Sequence, residues 1–101
     1  MAEFVKVADR GAIPPGTGKV VQAGGKALAL FNVAGQFYAI DNTCRHRGGP
    51  LGEGMLDGTT VTCPWHGWQW DVCSGASAFN PAISVGCYPT KVEGNDVMVQ
   101  V

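Results

Sequence analysis

The chain has only two histidines in 101 residues, and charged side chains make up just 15% of it. Seven basic residues against eight acidic ones leave a formal charge of −1, with no basic run to neutralise phosphates or a lipid surface. A nucleic-acid or membrane-surface binder is therefore not expected. No apolar stretch approaches the ~18 residues that a membrane-spanning helix requires. Met1-Ala2-Glu3-Phe4-Val5-Lys6 lacks the basic and apolar regions of a signal peptide, so the expected compartment is the reducing cytoplasm. Helical periodicity is missing as well, because no window repeats apolar residues with a helical period.

What is present is glycine, at 15 residues, proline, at 6, and a hydrophobic share of 46%. Short apolar runs alternate with glycine-rich turns, the pattern of an all-β domain of about eight to ten short strands. The length suits one domain, residues 1–101, without repeats or linkers. Phe4 to Ala8 reads as a first strand. Lys19 to Gln22 and Lys26 to Val33 flank Ala23-Gly24-Gly25, a hairpin turn because glycine accepts positive φ at little cost. Leu28 to Val33 is apolar on both faces and predicts a central strand buried on each side. Gln36 to Asp41, Thr59 to Thr62 and Trp68 to Val72 read as further strands. Cys87 to Val92 and Val97 to Val101 form a terminal hairpin, with Val97, Val99 and Val101 pointing inward.

Both histidines stand just after a cysteine, in Cys44-Arg45-His46 and in Cys63-Pro64-Trp65-His66. Sixteen residues separate the halves, and each half falls on a turn between predicted strands. Each half offers one thiolate and one imidazole. Zinc also takes Cys₂His₂ sets, but zinc knuckles usually pair like ligands, whereas each half here is mixed. Two cysteines with two histidines is the donor set of a Rieske-type [2Fe–2S] centre. In that arrangement Cys44 and Cys63 hold one iron, His46 and His66 the other, and bridging sulfides complete the tetrahedra. Two thiolates cancel the charge of two ferric ions and two sulfides, so the oxidised site is neutral and more easily reduced than a four-cysteine cluster.

With Gly67, Trp70-Asp71-Val72, Ser74-Gly75 and the ending Tyr88-Pro89-Thr90-Lys91-Val92-Glu93-Gly94, the chain resembles Rieske-type ferredoxins. It is most similar to the carriers of bacterial ring-hydroxylating dioxygenase systems. The resemblance implies three stacked antiparallel sheets, with one cluster held by two loops at one tip. It implies a carrier that is not itself an enzyme, taking one electron from a flavin-dependent reductase to a terminal oxygenase. Aromatic hydrocarbon catabolism is the implied setting. Rieske subunits of cytochrome bc complexes carry a disulfide beside the cluster; the corresponding positions here are Gly49 and Trp65. Those subunits also place serine and tyrosine hydroxyls near sulfur, where this chain has Trp68 and Trp70. Indole donates only N–H, so a potential toward the low end of the roughly −150 to +300 mV Rieske range is expected.

Arg45 and Arg47 bracket His46 and are read either as solvated loop residues or as a small basic patch for an acidic partner. Trp65 and Trp68 either shield the cluster or anchor an interface, while Trp70 is expected to pack inward. Phe79-Asn80-Pro81-Ala82 resembles the loop that covers the cluster in this family. The glycine-rich run from Gly48 to Gly54 lacks a Lys-Ser/Thr ending and is read as tight turning around the metal, not a phosphate cradle. Cys73 and Cys87 are read as buried free thiols, with a mutual disulfide as the alternative that sequence cannot position. Two other roles remain open: a small subunit of another oxidoreductase, as in nitrite reductase, and a redox-sensing module.

Overall fold

A computed structural model describes residues 3–44, 49–65, 67–80 and 82–101. Among them are ten strands and two single-turn 3₁₀ segments, Arg10–Ala12 and Leu51–Glu53. The strands are β1 (Phe4–Asp9), β2 (Thr17–Ala23), β3 (Lys26–Val33), β4 (Gln36–Asp41) and β5 (Met55–Asp57), followed by β6 (Thr60–Thr62), β7 (Gln69–Asp71), β8 (Cys87–Tyr88), β9 (Thr90–Glu93) and β10 (Asp96–Gln100). They form three antiparallel sheets, ordered β1-β10-β9, β2-β3-β4-β8 and β5-β6-β7.

The β2-β3-β4-β8 sheet is covered on both faces, and the period-2 alternation of strand side chains shows how. On β3, Leu28 and Leu30 join Val97, Val99 and Ile13 in one core. Their neighbours Ala29 and Phe31 join Val61, Trp70, Cys44 and Cys63 in a second core. β4 divides in the same way, with Phe37 and Ala39 in the first core and Ile40 in the second. The run that reads as apolar on both faces is thus the middle of a three-layer stack. Leu28, Ala29, Leu30 and Phe31 are all fully buried.

The turns follow the local chemistry. Gly24 and Gly25 both take positive φ, +56° and +79°, and close the β2–β3 hairpin at its expected place. The last strand pair departs from expectation. Cys87 to Val92 is not one strand. Pro89 interrupts it, so that β8 pairs with β4 in the middle sheet while β9 pairs with β10 in an outer one. Proline has no N–H to donate to a ladder, so the chain changes sheets there. Two hydrogen bonds hold the crossing: Gln100 N–H to the Pro89 carbonyl at 2.9 Å, and the Thr90 hydroxyl to the Phe37 carbonyl at 2.6 Å. β5 was likewise not expected, since its residues follow directly on a glycine-rich run read only as turns.

Candidate metal centre

Two loops leave neighbouring strands and meet. The first follows β4, where an isolated bridge between Thr43 and Pro50 narrows the chain and the Cys44 N–H donates to the Gly49 carbonyl at 3.0 Å. Asn42 anchors its far side: its carbonyl accepts from the Leu51 N–H at 2.7 Å and its side-chain oxygen from the Gly52 N–H at 2.8 Å. The second loop lies between β6 and β7. Cys63 opens it, donating its N–H to the Trp68 carbonyl at 2.7 Å and accepting from the Gly67 N–H at 3.2 Å. Each cysteine therefore sits at the first residue of a loop whose neck is closed by backbone hydrogen bonds.

These necks bring Cys44 and Cys63 together. Both are buried, at 2% and 4% exposure, and the Cys44 thiol lies within hydrogen-bonding reach of the Cys63 thiol. Both are free, with no bond between them. Burial pushes the Cys63 thiol above its ordinary range and the neighbouring Cys44 thiol adds to this, while the Trp65 backbone N–H opposes it. Gly49 faces the pair from the first loop. A Cβ there would stand 2.6 Å from Cys63 Sγ and 3.2 Å from Trp65 Cβ, so the first loop passes over the second only because position 49 carries no side chain.

The expected ligands thus divide. Cys44 and Cys63 are placed side by side as the motif requires, whereas His46 and His66, with Arg45 and Arg47, lie outside the described residues. Pro81 of the expected covering loop does too. Among the described residues no third His, Cys, Asp or Glu joins the two thiols. The cysteine half fits one iron of a mixed-ligand cluster: two adjacent buried thiols and a cleared approach at Gly49. Trp70 is fully buried in the same core, and its Nε1–H has no hydrogen-bond partner among the described residues, which leaves a polar donor in that interior.

Exposed apolar side chains lie on and beside the second loop. Trp65 is 50% exposed, and Phe79 is 62% exposed with its ring set edge-on to the half-buried Trp68, the centroids 4.9 Å apart. Trp70 packs inward as expected, 6.1 Å from Trp68 between ring centroids. Sequence reasoning missed Met55, 78% exposed beside Glu53, Cys63 and Pro64. Only its place just after Gly54, at the start of an edge strand, hinted at that position. Cys73 and Cys87 correct an expectation: both are exposed, since one lies in the turn after β7 and the other on the two-residue edge strand β8.

Residues 3–89 match the family of the Rieske [2Fe-2S] domain. The chain belongs to that family. It is 39% identical over 90 residues to the ferredoxin component of the naphthalene 1,2-dioxygenase system of Pseudomonas aeruginosa, an alignment spanning 88% of this chain and 86% of the relative. A solved complex of reduced oxygenase and oxidised ferredoxin in carbazole 1,9a-dioxygenase matches with a TM-score of 0.85 and 37% identity, over 95% of this chain and 91% of the matched one. A nitrite reductase small subunit from Mycobacterium tuberculosis superposes at a TM-score of 0.92 over 100% of this chain and 96% of its own, but at 22% identity that likeness concerns the fold alone. The protein is a Rieske-type ferredoxin, an electron carrier whose cofactor is one [2Fe–2S] cluster. No helix among its described residues is long and apolar enough to cross a membrane.

Proposed function

We propose that Cys44, His46, Cys63 and His66 hold the cluster, and that this ferredoxin carries single electrons in the cytoplasm from a flavin-dependent reductase to a terminal Rieske non-haem iron oxygenase. The observation that carries the reading is the pair of buried, unbonded thiols, each opening a closed loop that continues into one of the chain's two histidines. When bound, the cluster supplies a one-electron couple. The rest is done by this chain. The loop necks hold Cys44 and Cys63 side by side before the metal arrives, so these two ligands need little reorganisation on loading. Ala29, Phe31 and Trp70 pack the interior side and exclude water from it. Trp65 and Phe79 offer an apolar rim to a partner surface, and Arg45 and Arg47 add positive charge to the first ligand loop.

Relatives support the pathway: the Pseudomonas aeruginosa protein is named as part of a naphthalene 1,2-dioxygenase system, and the carbazole structure pairs a ferredoxin with an oxygenase. Ligand replacement tests the site. His46→Ala and His66→Ala should each abolish the rhombic EPR signal of the reduced Rieske centre while leaving the far-UV circular dichroism of the three sheets intact. Retention of the signal by both variants rules out the proposed histidine-bound iron. The pathway is tested by stopped-flow mixing of the reduced protein with an aromatic-ring oxygenase, where cluster reoxidation with product formation is expected. Transfer to a sirohaem nitrite reductase instead, with none to the oxygenase, would favour the small-subunit role.

A further inference from the structure

Two thiols outside both ligand loops form a cluster that the carrier role does not use. Cys73 lies in the turn after β7, held there by its own N–H to Asp71 Oδ1 at 2.8 Å and by the Gly75 N–H to the Asp71 carbonyl at 2.7 Å. Cys87 lies on β8, paired to Ile40 of the middle sheet. The two segments are laced together: the Val85 N–H donates to the Gly75 carbonyl at 2.8 Å, and the Cys87 thiol donates to the Cys73 carbonyl at 3.2 Å. The Tyr38 hydroxyl reaches the Cys73 thiol from β4. Both cysteines are exposed and open on one groove with Tyr38, Tyr88 and Pro89.

We propose that Cys73 and Cys87 form a second redox site, separate from the cluster, which hydrogen peroxide converts to an intramolecular disulfide. Two electrons leave the thiol pair. In the first step the Cys73 sulfur attacks peroxide, the O–O bond breaks, and Cys73 sulfenic acid and water are formed. In the second, the Cys87 sulfur attacks that of Cys73, the S–O bond breaks, and a second water leaves with the thiol proton. Cys73 takes the first step. Partial burial, Cys73 and Asp71 all push the Cys87 thiol up and keep it protonated, which suits the resolving partner rather than the first nucleophile. The reductant that resets the site is a cellular dithiol.

The consequence lies in what the bond joins. Cys73 lies in the turn that follows the sheet delivering the second ligand loop, and Cys87 lies in the middle sheet. A covalent link between them closes the segment that carries Phe79, whose ring packs on Trp68 at the neck of that loop. Oxidation therefore closes the loop from Cys73 to Cys87 in the unfolded chain and raises the stability of the fold. The electron-transfer couple itself is untouched.

The test uses the cluster-loaded protein, prepared with reductant and then freed of it. A small excess of hydrogen peroxide should remove two hydrogens by intact mass and yield one linked peptide joining Cys73 and Cys87. The visible spectrum of the cluster should persist, the thermal midpoint should rise, and dithiothreitol should reverse both changes. Cys87→Ser should give a sulfenic acid at Cys73 that dimedone captures, and neither Cys73→Ser nor Cys87→Ser should show the rise. Four results overturn the proposal: sulfinic or sulfonic acid at Cys73 without a link, dimers joined between chains, a link that appears only after the cluster bleaches, or a link that leaves the midpoint unchanged.

Discussion

Single residues decide whether the two loops can meet. At Gly49 the constraint is space, since a Cβ would fall 2.6 Å from Cys63 Sγ and 3.1 Å from Trp65 Cγ. Gly49→Ala should therefore lower iron and acid-labile sulfide per protein several-fold, with the far-UV circular dichroism unchanged. Full cluster content in that variant contradicts the steric reading. A second residue, Tyr88, ties β8 to the start of the first loop by donating its hydroxyl to Asp41 Oδ1 at 2.6 Å. That hydrogen bond, with burial and the Asp41 charge behind it, pushes the phenol up to about 12 from its ordinary 10.0. Because the folded pKa is raised, the stabilisation is complete below pH 10 and is lost as pH climbs from about 10 to 12. Urea unfolding should show the wild type losing stability across that window, and Tyr88→Phe starting lower but declining less.

At the scale of elements, β3 separates what its two faces do. Leu30 points to the core shared with β10, whereas Ala29 and Phe31 point to the core shared with the cysteines. Leu30→Ala should cost about 2–5 kcal/mol in denaturant unfolding, the usual penalty for truncating a fully buried leucine. The EPR g-values of the cluster should not move, because the lost methyl groups lie on the opposite face. A shift in g-values would mean that the two cores are coupled through the strand. The middle sheet also shows why the terminal hairpin reads incorrectly from sequence. Cys87 to Val92 looks like one run because proline is tolerated at strand edges, yet here Pro89 marks the passage from one layer to another.

Viewed as a whole molecule, the ferredoxin is a three-layer stack of sheets, and on the proposed function its electron-carrying tip is the loop pair opened by Cys44 and Cys63. By the sequence resemblance, Trp68 and Trp70 occupy the positions where Rieske subunits of cytochrome bc complexes carry hydroxyl donors, and Trp70 is enclosed. The reduction potential should therefore fall below about +100 mV within the roughly −150 to +300 mV Rieske range, as read by potentiometry with EPR detection. Association with an oxygenase should depend on the tip as well. Reversing the charge of both Arg45 and Arg47 should slow electron transfer several-fold at low ionic strength and flatten its salt dependence. An unchanged salt profile would return both arginines to the role of solvated loop residues.

Sequence alone determined the cofactor class and the layer count. Ligand type is a matter of side-chain chemistry, and two Cys-and-His pairs are legible in a string before any fold is known. The double-faced apolar run of β3 announced a buried middle sheet for a similar reason, because strand alternation is local. What the string could not hold was distance between segments far apart along it. That Gly49 must be bare beside Cys63, that Tyr88 meets Asp41, and that Cys73 and Cys87 are exposed neighbours rather than buried thiols all depend on which strands pair. Pairing is fixed by the cooperative burial of two cores at once. Only the folded stack decides it.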